Sequence, residues 1–213
     1  MPYRRTYRKR TYRKRYTRNR TYRRKYRRPY RYSRKTGQKV YLYKRHCDFG
    51  EINVSNLTGA QGSYIFKLSQ LPSVAEFTNL YDTYKINAVK LVFLPQQTQS
   101  VSIGSINNAN AAARFFSVLD YNDNSVPLGP DELREYQSCK YTPILRPHKR
   151  YFKPRIQDRG SSYTPGRPWI NCTSPDQEYF GLKYAIEPID SSTTTSMIYT
   201  VEAKFYLSFK QVK

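Results

Sequence analysis

Charge in this chain is not spread but segregated, and that constrains the fold more than any motif. The stretch RTYRKRTYRKRYTRNRTYRRKYRRPYRYSRK, Arg5–Lys35, has no acidic and no aliphatic residue. Residues 1–45 hold 21 of the 38 Lys+Arg and no Asp or Glu, while residues 46–213 hold 17 Lys+Arg against all 15 Asp+Glu. Nearly all of the formal charge of +23 therefore sits in the first fifth of the chain. A like-charge run of this density repels itself and cannot offset its chain entropy by burial, so free in solution it is expected to be disordered. The remainder is close to neutral, rich in Val, Ile, Leu, Phe and Tyr, and long enough for one packed core. Two parts follow: a basic Arg/Tyr-rich arm over residues 1–37, ending at Thr36-Gly37, and a folded domain over 38–213.

The same reading excludes several classes. No apolar run approaches the ~20 residues that span a bilayer, and no apolar segment follows the basic N-terminus as a signal peptide requires. Cys47, Cys139 and Cys172 are odd in number and far apart, which suits reduced thiols in a cytosolic or nuclear protein. The arm repeats loosely: Arg5–Arg10 and Arg10–Arg15 both read RTYRKR, and Arg20–Lys25 reads RTYRRK. This is low complexity rather than a solenoid. Like charges at i,i+4 and Pro29 disfavour a free helix there.

From Gln38 the texture becomes β-like. VYLYKRHCDFGEINV reads as a first strand or strand pair and GSYIFKLSQ (Gly62–Gln70) as a second. SVAEFTNLYDTY (Ser73–Tyr84) is the best helix, with Ser73 as cap, Glu76 at the capping-box position, and Val74, Phe77, Leu80 and Tyr81 on one face. YKINAVKLVFLP (Tyr84–Pro95) alternates as a strand, with Ile86, Ala88, Lys90, Val92 and Leu94 set against Asn87, Val89, Leu91 and Phe93, and Pro95 ends it. A polar loop over Gln96–Ala113 follows, then a strand at RFFSVLDY (Arg114–Tyr121). Pro127–Tyr136 reads as a loop with one helical turn. Ser138–Ile156 reads as β segments cut by prolines, and Gln157–Pro168 as a loop. Strong strands close the chain at Glu178–Pro188 and Ser196–Gln211, the last setting Tyr199, Val201, Ala203, Phe205 and Leu207 against Ile198, Thr200, Glu202, Lys204 and Tyr206. About eight strands without a βαβ rhythm predict an all-β antiparallel sandwich. Pattern alone does not separate a Greek-key sandwich from a jelly roll.

The arm carries the strongest chemical signal. Arg4, Arg5, Arg8, Lys9, Arg10, Arg13, Lys14, Arg15, Arg18, Arg20, Arg23, Arg24, Lys25, Arg27, Arg28, Arg31, Arg34 and Lys35 can neutralise phosphates, and counterion release then drives binding without sequence readout. Tyr7, Tyr12, Tyr16, Tyr22, Tyr26 and Tyr30, with Tyr3 and Tyr32 flanking, have no core to join. They can stack on unpaired bases, worth about 1–3 kcal/mol per base. Cations interleaved with rings therefore favour single-stranded nucleic acid, and such a run also suits nuclear import.

Other candidates read as structure. Asp120-Tyr-Asn122-Asp-Asn124 resembles the start of a calcium loop, but Ser125 stands where glycine is required and Asp131 where glutamate is, so a strand-ending turn is expected. His46-Cys47 lacks a partner pair at zinc spacing. Asp131, Glu132 and Glu135 form an acidic cluster expected to be solvated, since no nucleophile or oxyanion motif accompanies it. Cys139 and His148 are a nucleophile–base pair in residue type only. Asn53, Asn56 and Asn171 open glycosylation triplets that should stay unmodified without a secretory route. No catalytic site, metal or cofactor is expected.

The order of YKINAVKLVFLPQQ (Tyr84–Gln97), FFSVLDYND (Phe115–Asp123), KRYFKPR (Lys149–Arg155) and YTVEAKFYLSFK (Tyr199–Lys210) behind a Tyr/Arg-rich arm resembles the capsid proteins of circoviruses and cycloviruses, small circular single-stranded DNA viruses. The resemblance spans essentially the whole chain and departs in how much tyrosine the arm carries. It implies a single jelly roll assembling into a T=1 icosahedral shell. It implies an inward arm that binds the single-stranded DNA genome and engages the host nuclear import machinery, and outer loops that meet a host cell-surface receptor. The expected locations are the virion and the host nucleus. The loops near Gln96–Ala113, Asp123–Tyr136 and Gln157–Pro175 become candidate surface or intersubunit regions. The charge is of the right size: about sixty chains of 21 cations carry roughly 1,260 positive charges, enough for a genome on the order of a thousand nucleotides at one negative charge each. Two rivals stay open: a jelly-roll coat protein of a single-stranded RNA virus, separated by the nucleic acid in purified particles, and a ribosomal or chromatin protein, which would not sediment as large particles.

Overall fold

The structure is a computed structural model that describes residues 39–55, 57–96, 113–156, 166–189 and 197–212. Among these residues run nine strands: β1 Tyr41–Val54, β2 Ala60–Phe66, β3 Tyr81–Pro95, β4 Arg114–Val118, β5 Lys140–Pro143, β6 His148–Phe152, β7 Ile170–Asn171, β8 Tyr179–Ile186 and β9 Met197–Val212. Among the described residues two short α-helices, α1 Val74–Leu80 and α2 Pro130–Arg134, and one 3-10 turn, Leu68–Gln70, intervene. One sheet has the order β1-β9-β3-β6, with the two-residue β7 pairing the start of β3; the other has the order β2-β8-β4-β5. Every pairing is antiparallel. Apart from β7, eight strands form two four-stranded sheets with long-range crossings between them, which is the jelly roll.

The strands form because apolar residues recur with period two and face the opposite sheet. In β9, Tyr199, Val201, Ala203, Phe205 and Leu207 are all buried, the set that alternation picks out. The core is aromatic. Phe93 packs on Phe115 at 4.7 Å between ring centroids, Phe66 on Phe205 at 6.1 Å, and Tyr199 meets Phe115 edge-on at 5.4 Å. Two of the buried tyrosines place their hydroxyls on main-chain carbonyls: Tyr199 donates to that of Ile144 at 2.5 Å and Tyr84 to that of Ser174 at 3.0 Å.

Two β-bulges set which side chains face out. In β1 the register shifts between Asp48 and Glu51, where Gly50 takes φ 84°. In β3 it shifts between Ile86 and Ala88. Ile86 is buried before the shift and Val89, Leu91 and Phe93 after it, so the strand switches from even- to odd-numbered residues on the one face it buries. The simple alternation expected for Tyr84–Pro95 is corrected accordingly: Lys90 leaves the set of Ile86 and escapes burial. Between β1 and β2, Gly59 sits at φ 70°, and a Cβ there would lie 2.1 Å from the carbonyl oxygen of Ile186.

The helix expectation is also corrected. Ser73 has φ 59° and makes no side-chain cap, because a left-handed residue does not aim its hydroxyl at the first turn. The helix ends at Leu80, which is 47% exposed, and Tyr81 instead starts β3 opposite Val212. Of the expected apolar face, α1 buries Phe77. β7 is not part of the sequence reading, whereas the five-residue α2 is the helical turn expected within Pro127–Tyr136.

Candidate functional site

The arm Arg4–Lys35, with every residue expected to bind nucleic acid, lies outside the described residues. So do residues 97–112, nearly all of one candidate loop, and 157–165, about half of another. The sites below belong to the domain.

β8 reads YFGLKYAI and is buried along almost its whole length, including Lys183. A buried ammonium requires anions. Two come from the segment after β4: Lys183 Nζ donates to Asp120 Oδ2 at 2.8 Å and to Asp123, and also to Ser125 Oγ at 3.0 Å. Burial alone would lower the lysine pKa, but the hydrogen bonds and charges of Asp120 and Asp123 outweigh it and raise it. The hydrogen bond from Lys183, helped by Ser125, lowers Asp123 to about 2. The DYND sequence is thus a lysine clamp, not a cation loop. Ser63 of β2 donates to the carbonyl of Asn124 at 2.6 Å and fastens the same segment to the sheet edge.

His148 begins β6 in one sheet and is fully buried against the other. Its Nε2 is 2.6 Å from Ser117 Oγ of β4 and its Nδ1 2.9 Å from Thr142 Oγ1 of β5. Its ring stacks on Phe115 at 4.5 Å. A neutral imidazole donates once and accepts once, so two hydroxyls satisfy it completely. Burial, with Lys140 and Arg150 nearby, lowers its pKa to about 3. With both nitrogens engaged, it has none left to serve as base to Cys139, whose own pKa burial raises. Arg150 of β6 caps the same corner, donating to the carbonyls of Ser117 at 3.0 Å and Ser138 at 2.5 Å.

Two of the three acids at α2 are engaged, and the third, Glu135, is exposed as a solvated loop implies. Glu132 accepts from the Leu128 N–H at 2.6 Å, and Arg134 bridges Asp131 and Glu187, each at 2.5 Å. His46 is exposed and Cys47 half-buried. Among the described residues no group of three or more His, Cys, Asp or Glu is placed to hold a metal. Asn53 and Asn171 are exposed on strands, and Asn56 lies outside the described residues. Sequence reasoning missed the Lys183 clamp and the surroundings of Trp169. A lysine inside an apolar strand was the available signal for the first.

Two sheets ordered β1-β9-β3-β6 and β2-β8-β4-β5 define a jelly roll of the kind that builds viral shells. The structure is similar to the BFDV capsid protein in its 60-mer form (TM-score 0.58, 14% identity, 82% of this chain and 95% of that one) and in its decameric form (TM-score 0.56, 13% identity, 81% and 100%). It is also similar to the structure of Cocksfoot mottle virus (TM-score 0.52, 9% identity, 82% and 97%). No curated protein sequence matches the chain. The family model for the circovirus capsid protein matches residues 3–213, and the chain belongs to that family. The protein is a structural capsid protein.

Proposed function

We propose that this chain is the repeating subunit of a T=1 shell that packages single-stranded circular DNA, with labour divided between residues 1–37 and 38–213. The observation that carries the reading is the charge split. All but two units of the net charge lie in residues 1–45, and the family match runs through arm and domain together. The BFDV capsid protein, a neighbour in fold, forms a 60-mer and a decamer. In this reading near-neutral jelly rolls associate through apolar and polar contacts, while arm–DNA neutralisation removes repulsion among the arms. Cations from Arg4 to Lys35 hold phosphates, the interleaved tyrosines stack on bases, and the same run addresses the particle to the host nucleus. Loops such as Asp123–Tyr136 supply surface for a host receptor or neighbouring subunits.

Electron microscopy and sedimentation of the purified protein test assembly: closed particles are expected, and a persistent monomer or dimer overturns the reading. Nucleic acid extracted from the particles is expected to resist ribonuclease and yield to deoxyribonuclease. Removing residues 1–36 is expected to eliminate most of the salt-dependent affinity for single-stranded DNA. Full affinity in the truncated protein would sink the division of labour.

A further inference from the structure

Trp169 is the single tryptophan of the chain, and the register of β7 decides where it sits. Ile170 pairs with Tyr84, and both are buried. Their neighbours Trp169 and Lys85 are therefore turned to the outer face of the β1-β9-β3-β6 sheet. Next along that face, β9 sets Ser208 opposite Lys85 and Lys210 opposite Thr83. Lys210 Nζ lies 3.9 Å and Lys85 Nζ 6.0 Å from the indole centroid. Arg167, two residues before the indole, donates to the carbonyl of Asn87 at 3.4 Å. Burial, then the charges of Arg167 and Lys210, lowers the pKa of Lys85. Among the described residues, no carboxylate lies within ion-pairing distance of Lys85, Arg167 or Lys210. Like charges gathered at one ring repel each other, and an anion relieves them.

The pattern continues along the sheet. About 17 Å further on, five residues of β3 at ~3.4 Å each, Lys90 stands directly opposite Lys204. Like charges so placed destabilise a sheet, and neither lysine has an ion-pair partner among the described residues. Beside them Tyr151, opposite Lys90 on β6, is 58% exposed, and it meets Tyr206 edge-on at 5.6 Å.

We propose that this face is a second nucleic-acid site, on the domain itself. A single strand lays a base on Trp169 with its phosphate among Lys85, Arg167 and Lys210, and runs on toward Lys90, Lys204 and Tyr151. The chemistry matches on both counts, since rings accept any base by its face and cations accept the phosphodiester. A duplex keeps its bases stacked away from such a ring. The identity of the polyanion as packaged genome rests on the function proposed above, whereas the site itself is read separately from the arm.

Trp169 reports on its own site. The full chain is titrated with a short oligothymidylate at low salt. Total binding is followed by anisotropy of a labelled copy, and the site by tryptophan emission under red-edge excitation that avoids tyrosine. Saturable quenching is expected with DNA, and none with an abasic phosphodiester chain of equal length that still binds. The Lys85→Gln/Lys210→Gln variant keeps the ring and is expected to raise the half-quenching concentration about tenfold. Oligouridylate run in parallel assigns the sugar, and quenching by either oligomer supports the site. Binding by anisotropy with unchanged Trp169 emission overturns the site and leaves the genome reading standing, as does equal quenching by the base-free chain. Absence of binding in both channels overturns the genome reading as well.

Discussion

The outer faces of the two sheets treat lysine in opposite ways. On the β2-β8-β4-β5 sheet, Lys183 has a side chain 3% exposed, held by two carboxylates and a hydroxyl under the segment that follows β4. On the β1-β9-β3-β6 sheet, Lys85, Lys90, Lys204 and Lys210 stand without an acidic partner among the described residues. The first arrangement neutralises a charge inside the molecule. The second leaves its charges available to something outside. A lysine count does not separate the two, but the presence of a matching carboxylate does.

The contrast breaks most visibly at the clamp. Lys183→Met leaves Asp120 and Asp123 facing each other without a cation, and stability should fall by about 3 kcal/mol, measured as a shift in urea midpoint. Adding Asp120→Asn and Asp123→Asn should restore most of it, because removing all members of a buried ionic group is often neutral. If the single variant unfolds at the wild-type midpoint, the clamp is not holding the loop.

His148 sharpens the same rule by creating an interior cation on demand. Its folded pKa, about 3, lies below the ordinary 6.5, so the unfolded chain takes up the proton first. This contribution is present above pH 6.5 and is lost as pH falls toward 3. Going from pH 7 to 5 should cost about 2 kcal/mol, and His148→Gln should flatten that part of the profile. A wild-type profile flat over this range would contradict the assignment.

The smallest effect tests the bare face. Lys90→Glu places an acid opposite Lys204 and should stabilise the fold by about 0.5 kcal/mol, while weakening oligonucleotide-dependent quenching of Trp169. A loss of stability instead would show that the like-charge pair is tolerated for a reason within the fold.

How far the sequence carried the fold depends on how local the cause was. β9 was readable because one uninterrupted period of two separates Val201 and Phe205 from Glu202 and Lys204. The jelly-roll order came from resemblance, since pairing between strands as distant as β1 and β9 leaves no local mark. The α1 cap failed because φ at Ser73 is set by the preceding turn, and Tyr81 fitted a helix pattern when pairing with Val212 decided the outcome. At the sites, DYND and Lys183 were each visible, but they lie sixty residues apart and only folding brings them together. Trp169 carried no signal at all, because its neighbours arrive through the register of a two-residue strand.

The extra residue in β3 near Asn87 divides that strand into two reading frames. Upstream, one parity of residue numbers points inward; downstream, the other does. A one-residue deletion beyond the shift would send Lys90 or its neighbours into the aromatic interior and turn Leu91 toward solvent, whereas a compensating insertion a few positions away would restore the phase. Length changes along this strand are therefore tolerated in pairs, and the spacing between Ile86 and Pro95 is as much a part of the fold as the identity of any residue within it.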